Sequence, residues 1–201
     1  SAASDVYKRQ SKDCGFRTVI AGALNDFTQS PKQLSDWYEK YNHDHELISF
    51  QLGFHAEYTT SEKLLKEVAL LAQNYQAPVY THNSETIREV EECKGRTGMT
   101  PTAYLDSLGM FEYGGGGYHG VYLTEEDMDI FEKHKLSVVT NSASNMKLAS
   151  GIAPIARLME RGINLAIGTD GPASNNCLDM FREMFLVTGL AKVKEQDVVL
   201  D

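Results

Sequence analysis

Cysteine is scarce in this chain. There are three among 201 residues, Cys14, Cys93 and Cys177, odd in number and widely spaced. None sits in a CxxC pair, which excludes a disulfide framework and a thiolate zinc site and suits reduced cytosolic thiols. A cytoplasmic protein is the expectation. Basic residues are also in deficit, with 19 Lys and Arg against 28 Asp and Glu and a net charge of −9. A nucleic-acid polymer requires a basic footprint, so that partner is excluded. Long apolar runs are missing as well. None approaches the ~20 residues that cross a bilayer as a helix, and no membrane association is expected. No low-complexity linker divides the chain.

What remains is a composition ordinary for one globular core, 42% hydrophobic and 23% charged. Short apolar runs alternate with amphipathic stretches. Strands are predicted at 17–22, 47–53, 78–81, 118–123, 136–140 and 163–167. Helices are predicted at 30–41, 61–73, 85–93, 100–108, 124–133, 155–161 and 176–190. Ser30 with Pro31 forms one N-terminal signal, and Thr124 with Asp127 approaches a capping box. The run Gly114–Gly117 reads as a flexible lead-in to the fourth strand. Six βα units imply a parallel sheet. They fall two short of a closed (β/α)8 barrel, so the expected class is α/β, a partial TIM-type barrel.

Residues 1–10, SAASDVYKRQ, show no periodicity and are expected to be a non-native or disordered leader. Residues 11–201 then form an incomplete barrel domain. The chain stops partway through an apolar pattern at Val198-Val199-Leu200-Asp201, which adds to the expectation of a fragment.

In barrels and open parallel sheets the chemistry sits at the carboxyl ends of the strands. Asp170 follows the apolar run Leu165-Ala-Ile-Gly-Thr169 and occupies such an end. His55, His82 and His119 occupy three others, with Glu85 three residues beyond His82. Each has a plainer reading alone. Asp170 before Gly171 can start a turn, Glu85 can cap a helix, and a single histidine can be a satisfied polar residue. Together on one rim, imidazole nitrogens and carboxylates suit a single Zn²⁺, with Fe²⁺ as the other candidate. His43-Asp44-His45 is the only HxH in the chain, but it precedes a strand. It therefore belongs to the opposite end, and a solvated loop is expected there.

Four segments occur in order: Gly53-Phe54-His55-Ala56, Thr81-His82-Asn83-Ser84-Glu85-Thr86, Ser144-Asn145-Met146-Lys147-Leu148-Ala149-Ser150-Gly151, and Gly168-Thr169-Asp170-Gly171-Pro172-Ala173-Ser174-Asn175-Asn176. They resemble the metal-dependent amidohydrolase superfamily. The nearest branch is the 5-methylthioadenosine/S-adenosylhomocysteine deaminases and their chlorohydrolase relatives. The resemblance runs over about residues 15–200 and implies barrel strands three to eight, without the N-terminal strands and the flanking β-sandwich. It implies His82 and Asp170 as metal ligands. Glu85, His119 and Asp170 become the catalytic groups, and Arg17, His55 and Glu85 the substrate contacts. The implied reaction is deamination of an adenosine-type nucleoside by metal-activated hydroxide. Asp170 would shuttle the water proton, Glu85 protonate a purine ring nitrogen, and His119 orient the nucleophile.

The chain departs from the pattern in four places. The HxH that ends the family's first strand is absent, residues 141–145 read NSASN rather than NPxSN, Gly-Gly-Gly-Gly-Tyr precedes His119, and no second substrate arginine occurs between Asn25 and Lys32. Residues 1–201 alone are accordingly expected to bind metal weakly and to turn over nothing measurable. Guanine, cytosine and triazine hydrolases are the alternatives among enzymes. A metal-free barrel scaffold is the alternative outside them. A homo-oligomer is compatible with either.

Overall fold

The structure is a computed structural model that describes residues 2–200. Six strands form one parallel sheet in sequential order: β1 (Thr18–Ala21), β2 (Ile48–Ala56), β3 (Val79–Asn83), β4 (Gly115–His119), β5 (Ser137–Thr140) and β6 (Asn164–Ile167). The helices are α1 (Ala2–Asp13), α2 (Pro31–Asn42), α3 (Glu62–Tyr75), α4 (Ile87–Thr97), α5 (Pro101–Ser107), α6 (Glu125–Lys133), α7 (Ser142–Lys147), α8 (Ile155–Glu160), α9 (Pro172–Asn175) and α10 (Met180–Glu195). The strands curl into part of a (β/α) barrel, as the βα alternation predicts. The segment expected as a leader carries most of α1. Lys8 and Lys12 of that helix both reach Asp44, at 2.6 and 2.5 Å.

The two faces of the sheet differ in burial. Along β2 the residues Ile48, Phe50, Leu52 and Phe54 are buried, while Ser49, Gln51 and His55 are half-buried. This period of two puts one face under the helices. Leu52, Val79 and Val138 of that face join Leu65, Val68, Phe131 and Leu158 in the main core. The other face lines the barrel interior.

The glycine run is a strand and not a flexible lead-in. Residues 115–119 pair with β3 and β5 in unbroken register, and the predicted 120–123 lie outside the sheet. Local pattern reading missed this because glycine has low strand propensity. Close approach makes glycine necessary here. A Cβ at Gly115 would lie 1.9 Å from the Val79 carbonyl oxygen, and one at Gly116 would lie 2.1 Å from that of Ser137. Gly120, at φ +59°, then turns the chain out of the sheet.

Helix starts follow their caps. Ser30 accepts from Gln33 N–H, and Thr124 with Asp127 completes a capping box, both as predicted. The helix after β3 begins at Ile87 instead of Glu85. Thr86 is its N-cap, and Glu89 supplies the reciprocal half of the box. The last helix begins at Met180, where Asp179 accepts from the N–H groups of Phe181 and Arg182. Residues 172–175, ahead of the helix predicted from 176, form α9 instead.

Candidate active site

β2 and β3 run longer at their carboxyl ends than predicted, β4 ends earlier, at His119, and the candidate histidines are among the last residues of all three. Parallel register aligns them: Ala56 pairs with His82, His82 with Tyr118, and Asn83 with His119. The rings of His55 and His82 lie 4.8 Å apart, and those of His82 and His119 stack at 5.4 Å. His82, His119 and Asp170 line one cavity of about 270 Å³ with Tyr118, Val139, Asn141 and Gly168. A larger cavity of about 360 Å³ lies elsewhere, beside the Glu57–Arg96 ion pair, and none of the predicted site residues lines it.

Each histidine is held by one nitrogen. His82 Nδ1 lies 2.6 Å from the carbonyl oxygen of His55. A carbonyl only accepts, so Nδ1 carries the proton and Nε2 keeps its lone pair. This is the arrangement that metal-ligating histidines use. Burial pulls the His82 pKa below the ordinary imidazole value. The bond to His55 and the charges of Glu85 and Asp170 oppose that shift only in part. His55 is also lowered, by burial first and by the His82 charge second. Its Nδ1 lies 2.9 Å from the Thr59 hydroxyl. His119 is 1% exposed, with Nδ1 at 2.8 Å from Asn145 Oδ1 and Nε2 at 3.7 Å from Glu85 Oε2.

The carboxylates are fastened as well. Glu85 Oε1 accepts from the Ser150 hydroxyl at 3.0 Å. Capping falls to Glu89, which accepts from the N–H groups of Ser84 and Glu85, so the Glu85 side chain is free to face His119. Asp170 Oδ2 accepts from Ser144 Oγ at 2.6 Å, and its Oδ1 accepts from Gly171 N–H at 2.6 Å. Burial pushes the Asp170 pKa up. Hydrogen bonds from Ser144, Ser174 and Gly171 outweigh it and hold the carboxyl below its usual value. Ser84, His119 and Asp170 all take left-handed backbone, at φ +53°, +74° and +59°. Such conformations cost roughly 1–3 kcal/mol each and persist where surrounding contacts over-determine them.

Arg17 does not belong to this group. It precedes β1, is exposed, and donates from Nη1 to the carbonyl oxygen of Glu46. Parallel strands put both residues at the amino end, ~13 Å from the rim across a four-residue strand. The fold therefore does not bring Arg17 together with the other predicted site residues. His43-Asp44-His45 lies in the connection before β2, at that same end, as expected.

Ser144, Asn145 and Ser150 were legible only as members of a motif, with no role attached to any of them. Glu183 gave no signal. It is fully buried on α10, accepts from Ala143 N–H and from the Asn175 amide, and so ties α7 to α9. The signal for the serines and Asn145 was their position directly after β5, on the same rim.

His82 Nε2 and the Asp170 carboxylate are donors that suit zinc or iron. Among the described residues, no group of three or more His, Cys, Asp or Glu is disposed to hold a metal ion. The chain therefore presents donors right in kind but short of the three protein ligands of a catalytic zinc site.

Residues 4–199 match the Amidohydrolase family. The chain is 39% identical over 200 residues to a 5'-deoxyadenosine deaminase of Methanothermobacter thermautotrophicus, covering 96% of this chain and 47% of that protein. It is 46% identical over 147 residues to a 5-methylthioadenosine/S-adenosylhomocysteine deaminase of Pyrococcus furiosus, covering 73% and 35%. Among solved structures, a zinc-bound adenosine deaminase of Xanthomonas campestris superposes with a TM-score of 0.89 at 34% identity, over 96% of this chain and 46% of that one. The chain spans about half the length of the curated relatives it matches. It belongs to the amidohydrolase family, whose members are metal-dependent.

Proposed function

We propose that this amidohydrolase is the site-bearing part of a hydrolase that removes the amino group from an adenosine-type nucleoside, such as S-adenosylhomocysteine, 5-methylthioadenosine or 5'-deoxyadenosine. The observation that carries this reading is the convergence of His82, His119 and Asp170 from three separate strand ends on one cavity, with Glu85 3.7 Å from His119. His82 through Nε2 and Asp170 through its carboxylate are the proposed metal-holding groups, and zinc is the proposed metal. A divalent ion, once bound, supplies Lewis acidity and makes water a nucleophile at neutral pH.

The remaining chemistry is assigned to the chain's own groups. Asp170, kept ionised by three hydrogen bonds, is a base able to take a proton from the attacking water and return it to the departing amine. Glu85 delivers a proton to the ring nitrogen beside the attacked carbon, which makes that carbon electrophilic. His119 lies 3.7 Å from Glu85 and lines the same cavity as Asp170, where its ring can orient the attacking water. His55 sits beside His82 on the same rim and is edge-on to Tyr58 at 6.3 Å, where it can meet the sugar side of a nucleoside. The products are an inosine-type nucleoside and ammonia. A cytoplasmic location and a soluble nucleoside substrate belong to the same reading.

Ammonia release by the whole protein tests it, with adenosine-type nucleosides set against guanine, cytosine and a triazine. Preference for a 5'-substituted adenosine supports the proposal, and preference for guanine or the triazine rejects the substrate class. Unchanged metal content and turnover in His82→Ala and Asp170→Ala would reject the enzyme reading altogether.

A further inference from the structure

The three proposed reacting groups come from different strand ends, yet one seven-residue segment holds them all. Ser144 Oγ donates to Asp170, Asn145 Oδ1 faces His119 Nδ1, and Ser150 Oγ donates to Glu85. Ser144, Asn145 and Ser150 are each at most 3% exposed. The segment is itself braced. Ser150 N–H donates to the Asn145 carbonyl and Leu148 N–H to that of Ser144, at 2.8 and 2.9 Å. Lys147 Nζ bridges the Ala173 carbonyl and Asn176 Oδ1, both at 2.7 Å, which locks the segment to the loop that carries Asp170.

We propose that residues 144–150 are a positioning clamp for the reaction, in which Asn145 selects the His119 tautomer that keeps Nε2 free of a proton. The proposal rests on the functional reading above for its purpose, but not for its geometry. An amide oxygen accepts, so the ring nitrogen facing it must donate. With the proton on Nδ1, Nε2 points its lone pair at Glu85 Oε2 across 3.7 Å. A protonated Glu85 Oε2 is compatible with this lone pair, so the carboxyl can hold the proton that a ring nitrogen of the substrate takes. The opposite tautomer would put an Nε2–H against Glu85 and favour the ionised carboxylate, which cannot donate. Ser150 occupies the other Glu85 oxygen and fixes the carboxyl plane. Ser144 does the same for Asp170, whose Oδ1 is already committed to Gly171. These are positioning residues, because they act through the groups that they hold.

Long-range ¹H–¹⁵N correlation of the histidine rings tests this on the 201-residue chain, at about pH 8.5, where an ordinary imidazole (pKa ~6.5) is neutral. The expected wild-type pattern is Nδ1–H for His119. Asn145→Ala is expected to shift His119 towards Nε2–H, the usual preference of a free imidazole. Asn145→Asp keeps an acceptor in place and is expected to restore Nδ1–H. His82, held by a backbone carbonyl, is the internal reference and should not change. An Nε2–H proton on wild-type His119 overturns the proposal without any variant. So does an unchanged tautomer in a folded Asn145→Ala chain. In the whole protein, Ser150→Ala is expected to lower kcat about tenfold with KM within twofold, since it misplaces a group without removing a substrate contact. An equal change in KM alone overturns the assignment of Ser150. A tautomer shift in a protein that hydrolyses no nucleoside rejects the functional reading and supports the clamp.

Discussion

Two groups of histidine and carboxylate occupy opposite ends of the same sheet. At the amino end, His43, Asp44 and His45 sit in a connection where His45 Nδ1 accepts from Leu47 N–H and Asp44 meets two lysines of α1. At the carboxyl end, His82, His119 and Asp170 line a cavity with Glu85 beside His119, and the four are held by buried hydroxyls, an amide and a backbone carbonyl. As strings of letters the two look alike, and the first even carries the spacing of a chelating pair. The difference lies in what faces each group. The first group is exposed, and among the described residues its carboxylate meets only lysine side chains. Fixed dipoles surround the second, and fixed dipoles are what orient a proton or a metal donor.

The largest effect that can break this comparison is on turnover. In the whole protein, Asp170→Ala and Glu85→Gln are expected to lower kcat/KM by roughly 10²–10⁴-fold, the range for losing a positioned acid or base. His45→Ala is expected to stay within twofold. A comparable loss from His45→Ala in an ammonia-release assay would end the distinction between the ends.

Next in size is the buried fastening of the rim. Glu183→Ala strips the acceptor from Ala143 N–H and from the Asn175 amide. A buried donor left without a partner costs about 1–3 kcal/mol. The urea midpoint should fall accordingly, and an unchanged midpoint would mean that water replaces the carboxylate freely. Gly116→Ala should cost about 1–3 kcal/mol by overpacking β4 against β5, read in the same titration.

The smallest effect is at the amino end. The bonds from Lys12 and then Lys8 hold the Asp44 carboxyl down at about 2. Its folded value lies below the ordinary ~3.9, so its contribution is full above about pH 3.9 and is lost as pH falls through about 2. The midpoint difference between wild type and Asp44→Asn should be small, should shrink in ~1 M salt, and should close between about pH 4 and pH 2. A difference that persists at pH 2 and in high salt would show packing and not charge.

Much of the rim was legible. The run Leu165–Thr169 ending on Asp170, and His82 with Glu85 after a short apolar strand, follow from strand periodicity and the direction of parallel strands. The glycine strand was not legible, because its pairing comes from close approach to Val79 and Ser137, which composition does not encode. Arg17 was placed on the wrong end because a residue that opens a strand was grouped with those that close one. The roles of Glu183 and Ser150 were unreadable for a simpler reason. Ser150 meets Glu85 across 65 residues and Glu183 meets Ala143 across 40, and no local pattern spans such separations.

Periodicity and motif order were enough to establish six βα units, the end of the sheet where the reactive residues gather, and a likeness to amidohydrolases. Those properties repeat every few residues and survive in a string. The tautomers of His82 and His119, the left-handed backbone at His119 and Asp170, and the clamp from Ser144 to Ser150 needed the folded chain. Each depends on which distant oxygen faces a given nitrogen or hydroxyl, and that is settled when the strands are brought side by side.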